Sequence, residues 1–159
     1  MTGAGRPSAG PFPEAEVRAA LEAVEDPEVP VTLADLGVLR SVEIDDERVV
    51  VHLAPTRLGC PGRAEMTRRV EEAVHGARPG ADVTVEWDMV AWRPETITQR
   101  GSDVLAEWGY ALLTGGLHCP YCRSGDVRGE GDFGGSVCKR PYTCRACGST
   151  FDALRGLTD

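Results

Sequence analysis

The feature that most constrains this chain is a doubled cysteine couple near its C-terminus: Cys119-Pro-Tyr-Cys122 and Cys144-Arg-Ala-Cys147. Four thiolates brought together in pairs form the tetrahedral cage that a structural Zn²⁺ prefers, with each sulfur about 2.3 Å from the ion. Two residues between paired cysteines let the chain curl so that both sulfurs point inward, and Gly148 tolerates the tight backbone after the second couple. The arm between the couples carries Gly129, Gly131, Gly134 and Gly135, which suits a β-hairpin. Its apolar contribution is little more than Val127, Phe133, Tyr142, Phe151 and Leu154. A lobe with so little to bury is expected to fold around its metal. A redox or Fe–S use of the same sulfurs is the competing reading. Thioredoxin-like chemistry fits less well, because no βαβ pattern holds either couple.

The chain has 159 residues, enough for one ordinary domain and a small appendage. Residues 1–13 are rich in Gly, Pro, Ser and Ala and lack an apolar core segment, so they read as a disordered leader rather than an export signal. No apolar run reaches the length of a membrane span. Without an export signal the expected compartment is the cytoplasm, where paired cysteines favour metal or redox chemistry over structural disulfides. The net charge of −8 argues against a chain that tracks a phosphate backbone. The tail itself is nearly neutral, and a Cys₄–Zn²⁺ site would add two negative charges, so nucleic acid is not an expected partner.

Ahead of the tail, Glu14 to Val24 has the helical spacing of Val17, Leu21 and Val24. Asp26-Pro27-Glu28-Val29-Pro30 stops that helix, and residues 26–37 read as an extended loop with few regular partners. Val38 to Ile44 and Arg48 to Leu53 alternate as two strands of a hairpin broken at Asp45-Asp46-Glu47. Cys60 and Pro61 are expected to open a second helix with Met66, Val70 and Val74 on its apolar face. Val83, Val85 and Trp87 mark a third strand, and Ser102 is expected to cap a short last helix that ends before Gly109. The pattern predicts an α+β fold, a small two-layer α-β-β-α-β sandwich over residues 14–110. A linker over 111–117 with Thr114-Gly115-Gly116, and a Cys₄ zinc ribbon over 118–157, complete the expected organisation.

Two cysteines lie outside the couples. Cys60 is expected at a helix N-terminus, where the dipole lowers a thiol pKa. Asp26, Glu28 and Asp35 lie on loops that a small sandwich could bring to the same end, giving a thiolate with carboxylate neighbours. The bland alternative is an inert buried cysteine, with Asp26 starting a turn and Asp35 bracing its loop. Cys138 is a fifth thiol beside the cluster, either a spare cysteine on a ribbon strand or a second, labile binding point. His52, His75 and His118 are scattered, and His118 is not needed as a zinc ligand. With no nucleophile–base pair and no phosphate loop, catalysis by the chain alone is not expected.

Asp26-Pro27-Glu28-Val29-Pro30, Asp35-Leu36-Gly37-Val38, Pro55-Thr56 and Gly59-Cys60-Pro61 occur in the order and spacing of the bacterial iron–sulfur cluster assembly domain family, which the sandwich resembles. Phe133-Gly134, Ser136, Cys138-Lys139, Tyr142, Cys144-Arg-Ala-Cys147 and Phe151-Asp152 resemble the zinc-binding tail of the D-subunit family of phenylacetyl-CoA epoxidases. Together the resemblance runs from about Glu14 to Leu157. Leu58 before Gly59 and the segment Val90-Ala91-Trp92 depart from the family pattern. The resemblance implies an accessory or maturation subunit of that multicomponent oxygenase in aerobic phenylacetate degradation. It would assist iron or Fe–S loading of the oxygenase or reductase subunits, with Cys60 as the motif thiol and Cys60 and Cys138 as binding points for transient iron or an Fe–S cluster. The alternatives are a non-catalytic subunit that bridges oxygenase components and, further off, a zinc-ribbon nucleic-acid binder. The oligomeric state is open, a homodimer included.

Overall fold

A computed structural model describes residues 13–45, 48–57, 59–90, 92–113 and 116–155. The expected leader, apart from Pro13, falls outside these residues, as do Asp46 and Glu47 of the hairpin turn, Leu58, Ala91, Thr114, Gly115 and residues 156–157. The first lobe runs α1 (Glu14–Glu22), β1 (Leu39–Asp45), β2 (Arg48–Leu53), α2 (Arg63–Ala77), β3 (Asp82–Trp87) and α3 (Gln99–Glu107). The second runs β4 (Tyr110–Leu112), β5 (Val127–Gly129), β6 (Lys139–Cys144) and β7 (Thr150–Leu154).

The first sheet has the order β1-β2-β3. β1 and β2 form the expected antiparallel hairpin, with Val42 opposite Val51 and Ile44 opposite Val49. β3 returns parallel to β2 through α2, with Val49 opposite Val83 and Leu53 opposite Trp87. Period-two alternation sends Val49, Val51 and Leu53 of the central strand inward, all fully buried. Val17 and Leu21 of α1 and Met66, Val70 and Val74 of α2 join them in one core. Fully burying such a side chain is worth about 1.5–3 kcal/mol, so this two-layer contact is the main source of the lobe's stability.

The loop over 26–37 differs from expectation. It is not an open extended segment but a packed one. Val29, Val31, Leu33 and Leu36 are buried. Its backbone is paired as Asp26 N to Val31 O at 2.9 Å and Leu33 N to Val24 O at 2.8 Å. The prolines bar a helix, but the apolar alternation still pulls the segment into the core. Two helix starts also move. α2 begins at Arg63 with Gly62 as its cap, so Cys60 and Pro61 form the turn before the helix rather than its first residues. α3 begins at Gln99, where Thr98 accepts the Gly101 amide at 3.1 Å. Thr98 therefore takes the capping role expected of Ser102. Gly109 follows α3 at φ 76°, the left-handed position that suits glycine.

The second sheet has the order β4-β7-β6-β5. β5 and β6 form the expected hairpin across the glycine-rich arm, with Val127 opposite Cys144. Ala111 and Leu112, expected in the linker, instead pair in parallel with Ala153 and Leu154 of β7. The chain thus leaves α3 directly into the ribbon sheet. Tyr142 and Phe151 stack with ring centroids 5.8 Å apart. Ala111, Cys119, Cys144, Phe151 and Ala153 are the buried residues of the lobe's core. Phe133, expected in that core, is 66% exposed. Leu154 and Cys138 face the other way and pack into the core of the first lobe. The two lobes therefore share a seam.

Candidate functional site

The four tail sulfurs converge. Cys119 Sγ lies 3.8 Å from Cys147 Sγ, and Cys122 Sγ lies 3.5 Å from Cys144 Sγ. All four lie within 4.8 Å of one another. The two knuckles are built alike. Cys119 N bonds Ser124 O at 2.9 Å and Arg123 N bonds Cys119 O at 2.9 Å. Cys144 N bonds Ser149 O at 2.8 Å and Gly148 N bonds Cys144 O at 2.9 Å. The fourth residue after each leading cysteine takes the left-handed conformation, Arg123 at φ 65° and Gly148 at φ 78°. Each turn folds its two sulfurs to the same side. The Ser149 hydroxyl brings the Cys147 thiol down to about 6, towards the thiolate a metal needs. A Zn²⁺ with bonds of about 2.3 Å sets tetrahedral sulfur pairs about 3.8 Å apart, so this donor set fits zinc. His118 Nδ1 faces the Gly116 carbonyl at 3.1 Å and takes no part in the cluster.

The remaining two cysteines meet across the seam. Cys60 Sγ, in the turn before α2, lies 4.0 Å from Cys138 Sγ, just ahead of β6. Both residues are buried. The Thr56 hydroxyl stands 3.5 Å from Cys138 Sγ. The sulfurs line a cavity of about 30 Å³ together with Asp26, Glu28, Thr56, Lys139 and Trp92. Lys139 donates to the Glu28 carbonyl at 3.1 Å and to the Tyr110 hydroxyl at 3.2 Å, pinning the tail to the 26–37 loop. Trp92 Nε1 donates to Leu36 O at 2.7 Å and walls the cavity.

The expected electrostatics of Cys60 are reversed. The hydrogen bond with Cys138 and then burial push the Cys60 thiol well above its ordinary value, and the Cys138 charge adds to this. The same hydrogen bond lowers Cys138 to about 7 against the opposing effect of burial, with help from Thr56. Thiolate character is therefore favoured on the tail's cysteine rather than on Cys60. Of the three carboxylates expected nearby, two are. Asp26 Oδ1 accepts the amides of Glu28 at 2.8 Å and Val29 at 3.1 Å, and burial raises its pKa despite those bonds. Glu28 lines the cavity with it. Asp35 does not. Its carboxylate accepts from Thr98 Oγ1 at 2.6 Å, Arg100 Nε at 2.7 Å and Thr32 Oγ1 at 3.1 Å, outside the cavity. Burial opposes its ionisation, and these three donors outweigh burial and hold its pKa below the usual value. It braces the loop.

Thr56 and Lys139, present in the family motifs above, are site residues to which sequence reading assigned no role of their own. The signal for Lys139 was present: it is the only lysine in a chain that otherwise uses arginine, and it is 9% exposed. None of the three histidines enters the cavity. His52 faces Glu43, Glu86 and Asp88 at 3.4–3.7 Å on the sheet's other face, and His75 bonds Ala81 O at 3.2 Å. Among the described residues no helix is long and apolar enough to cross a membrane.

Comparison with known proteins divides the chain much as its two sheets do. Residues 14–87 match the family described as iron-sulfur cluster assembly protein. Residues 112–155 match the PaaD zinc beta ribbon domain. The chain is 32% identical over 152 residues to the D-subunit of a "Putative 1,2-phenylacetyl-CoA epoxidase" of Escherichia coli (strain K12), covering 88% of this chain and 91% of that one. Among solved structures, a domain of unknown function from Bacillus anthracis superposes with a TM-score of 0.53 at 26% identity, covering 58% of this chain and 90% of the other. A conserved hypothetical protein from Thermotoga maritima superposes with a TM-score of 0.52 at 25% identity, covering 64% and 98%. A match that spans nearly all of both chains, and two family matches that fall on the two lobes, lead to one conclusion: the chain belongs to the D-subunit family of 1,2-phenylacetyl-CoA epoxidases and carries an iron-sulfur cluster assembly domain followed by a zinc beta ribbon.

Proposed function

We propose that this chain is an accessory subunit of a phenylacetyl-CoA epoxidase that assists iron or Fe–S cluster loading of the oxygenase or reductase subunits, in the cytoplasm, with Cys60 as its working thiol. In this reading residues 14–110 are the working lobe. Residues 118–157 are a docking lobe held by a structural Zn²⁺ on Cys119, Cys122, Cys144 and Cys147. The observation that carries the proposal is the placement of Cys60 in a small cavity with carboxylates at hand. A buried cysteine with a purely packing role sits among hydrocarbon. Besides the apolar core it packs against, this one shares its cavity with a second sulfur, a hydroxyl and two acids. When the zinc is bound it supplies a closed structural centre, and the tail's own residues do the positioning: β6 carries Lys139 and the preceding Cys138 to the seam.

The reading is tested by producing the oxygenase components with this chain as wild type or Cys60→Ser. Iron content and epoxidase turnover are expected to fall about tenfold or more in the variant, the scale on which metal-site partners act. Values equal to wild type would remove the working-thiol role.

A bridging, non-catalytic role has one observation in its favour. Trp108 and Tyr121 are 66% and 57% exposed, and both line one open groove beside β4 and β7. Exposed aromatics of this kind are common anchors in protein interfaces. Stoichiometric co-purification with the oxygenase, unchanged by Cys60→Ser alongside unchanged turnover, would favour that role.

A further inference from the structure

We propose that Cys60 and Cys138 form one bipartite binding site for a single thiophilic divalent cation, assembled across the seam and complete only when the ribbon is docked. The proposal deepens the working-thiol reading, on which it rests, by naming the cargo as a lone ion rather than a preformed cluster.

Three observations on the two lobes converge. First, the sulfurs are spaced for a shared ion. Their separation of 4.0 Å stands beside 3.8 and 3.5 Å for sulfur pairs of the tail centre, whose donor set fits a metal. Two thiolates on one tetrahedral ion lie at about this distance. Second, an oxygen donor stands beside the sulfurs. Thr56 Oγ1 is 3.5 Å from Cys138 Sγ, and Glu28 and Asp26 line the same space. The adjacent ammonium of Lys139 is already committed to the Glu28 carbonyl and the Tyr110 hydroxyl, 5.0 Å from the Tyr110 ring centroid. Third, the space is small. A cavity of about 30 Å³ holds about one water molecule. It has room for a bare ion.

The chemistry balances without a redox step. The cation enters, the thiol protons leave to solvent, and two thiolates bind the ion with no change in oxidation state. Because the sulfurs come from different lobes, separating the lobes splits the donor pair. Drawing the tail away breaks the bond from the ion to Cys138, and a partner's ligands then displace Cys60, with no covalent bond of the chain broken.

The test uses the full chain loaded with one zinc, under anaerobic conditions. Ferrous iron is titrated by equilibrium dialysis, and cobalt(II) reports thiolate ligation through its charge-transfer absorption. Wild type is expected to take one ion beyond the zinc. Cys138→Ser and Cys60→Ser are each expected to weaken that second ion by more than the roughly 10–100-fold an outer-sphere partner is worth, while zinc stays at one per chain. Cys60→Ser leaves the tail intact, so the proposal stays testable if the Cys138 variant loses its fold. No second ion in wild type, equal binding in Cys60→Ser, or a stoichiometric 2Fe–2S chromophore on these sulfurs would overturn it. The two readings separate cleanly. If Cys60→Ser stops oxygenase maturation but Cys138→Ser binds iron like wild type, the bipartite site is wrong and the working thiol stands. If the second ion depends on both cysteines but maturation is normal without Cys60, the site stands and the loading function falls.

Discussion

At the scale of single residues, the molecule separates carboxylates and thiols that look alike in sequence. Asp26 and Asp35 both sit in the same loop, yet one lines the cavity and the other is tied by Thr32, Thr98 and Arg100. Asp35→Ala is therefore expected to destabilise the chain by about 1.5–3 kcal/mol at neutral pH, the worth of a hydrogen bond to a charged group, read by urea denaturation. Its folded pKa is lowered, so the carboxylate's contribution is complete above the unfolded value of about 3.9 and is lost as the pH falls through the folded one. The gap between variant and wild type should close in acid below that range, and a gap that persists there would mean Asp35 acts through packing alone. The loss of the expected thiolate at Cys60 has the same kind of cause. Spacing could suggest a helix start at Cys60, but it could not show a second sulfur arriving from 78 residues away. The four zinc-type cysteines were legible because their chemistry is local, two turns of identical form. The Cys60–Cys138 pair was not, because it is made by docking.

At the scale of elements, strands and helix faces were read well and their ends less so. The alternation of Val49, Val51 and Leu53 and the helical spacing of Met66, Val70 and Val74 correspond to buried faces. α2 starts later and α3 earlier than expected, because caps depend on local backbone and on where a side chain finds an amide, as Thr98 finds that of Gly101. The end of the 26–37 loop shows how tightly such connections are held. Gly37 lies at φ 71°, and a Cβ there would collide with the side chain of Thr96 and press on its carbonyl oxygen. Thr96 belongs to the short 3-10 turn Pro94–Thr96, which leads into α3. Gly37→Ala is expected to cost more than about 1 kcal/mol, since the left-handed backbone alone is unfavourable and the overlap adds to it. Thermal unfolding should show a lower midpoint, and an unchanged midpoint would mean that the turn adjusts freely.

At the scale of the whole molecule, the chain is one acidic sandwich and one four-cysteine ribbon joined along a seam that neither builds alone. Stripping the metal with a chelator should unfold the tail, because structural Zn²⁺ contributes on the order of 10–16 kcal/mol to such small lobes. Amide exchange is expected to rise over β5, β6 and β7 and also over β4, whose partner strand would be gone. Protection in α1, α2 and the first sheet should persist. Exchange that stays slow in β4 would show that it belongs to the first lobe after all. The parallel pairing of β4 with β7 was the least legible feature of the fold, since three residues after a helix carry no periodicity of their own. It also fixes an order of events during synthesis. Residues 110–112 must wait until the strand they join, which ends at Leu154, has been made. The nascent sandwich emerges earlier, with its solitary sulfur uncovered, and is closed over only once that later strand has followed.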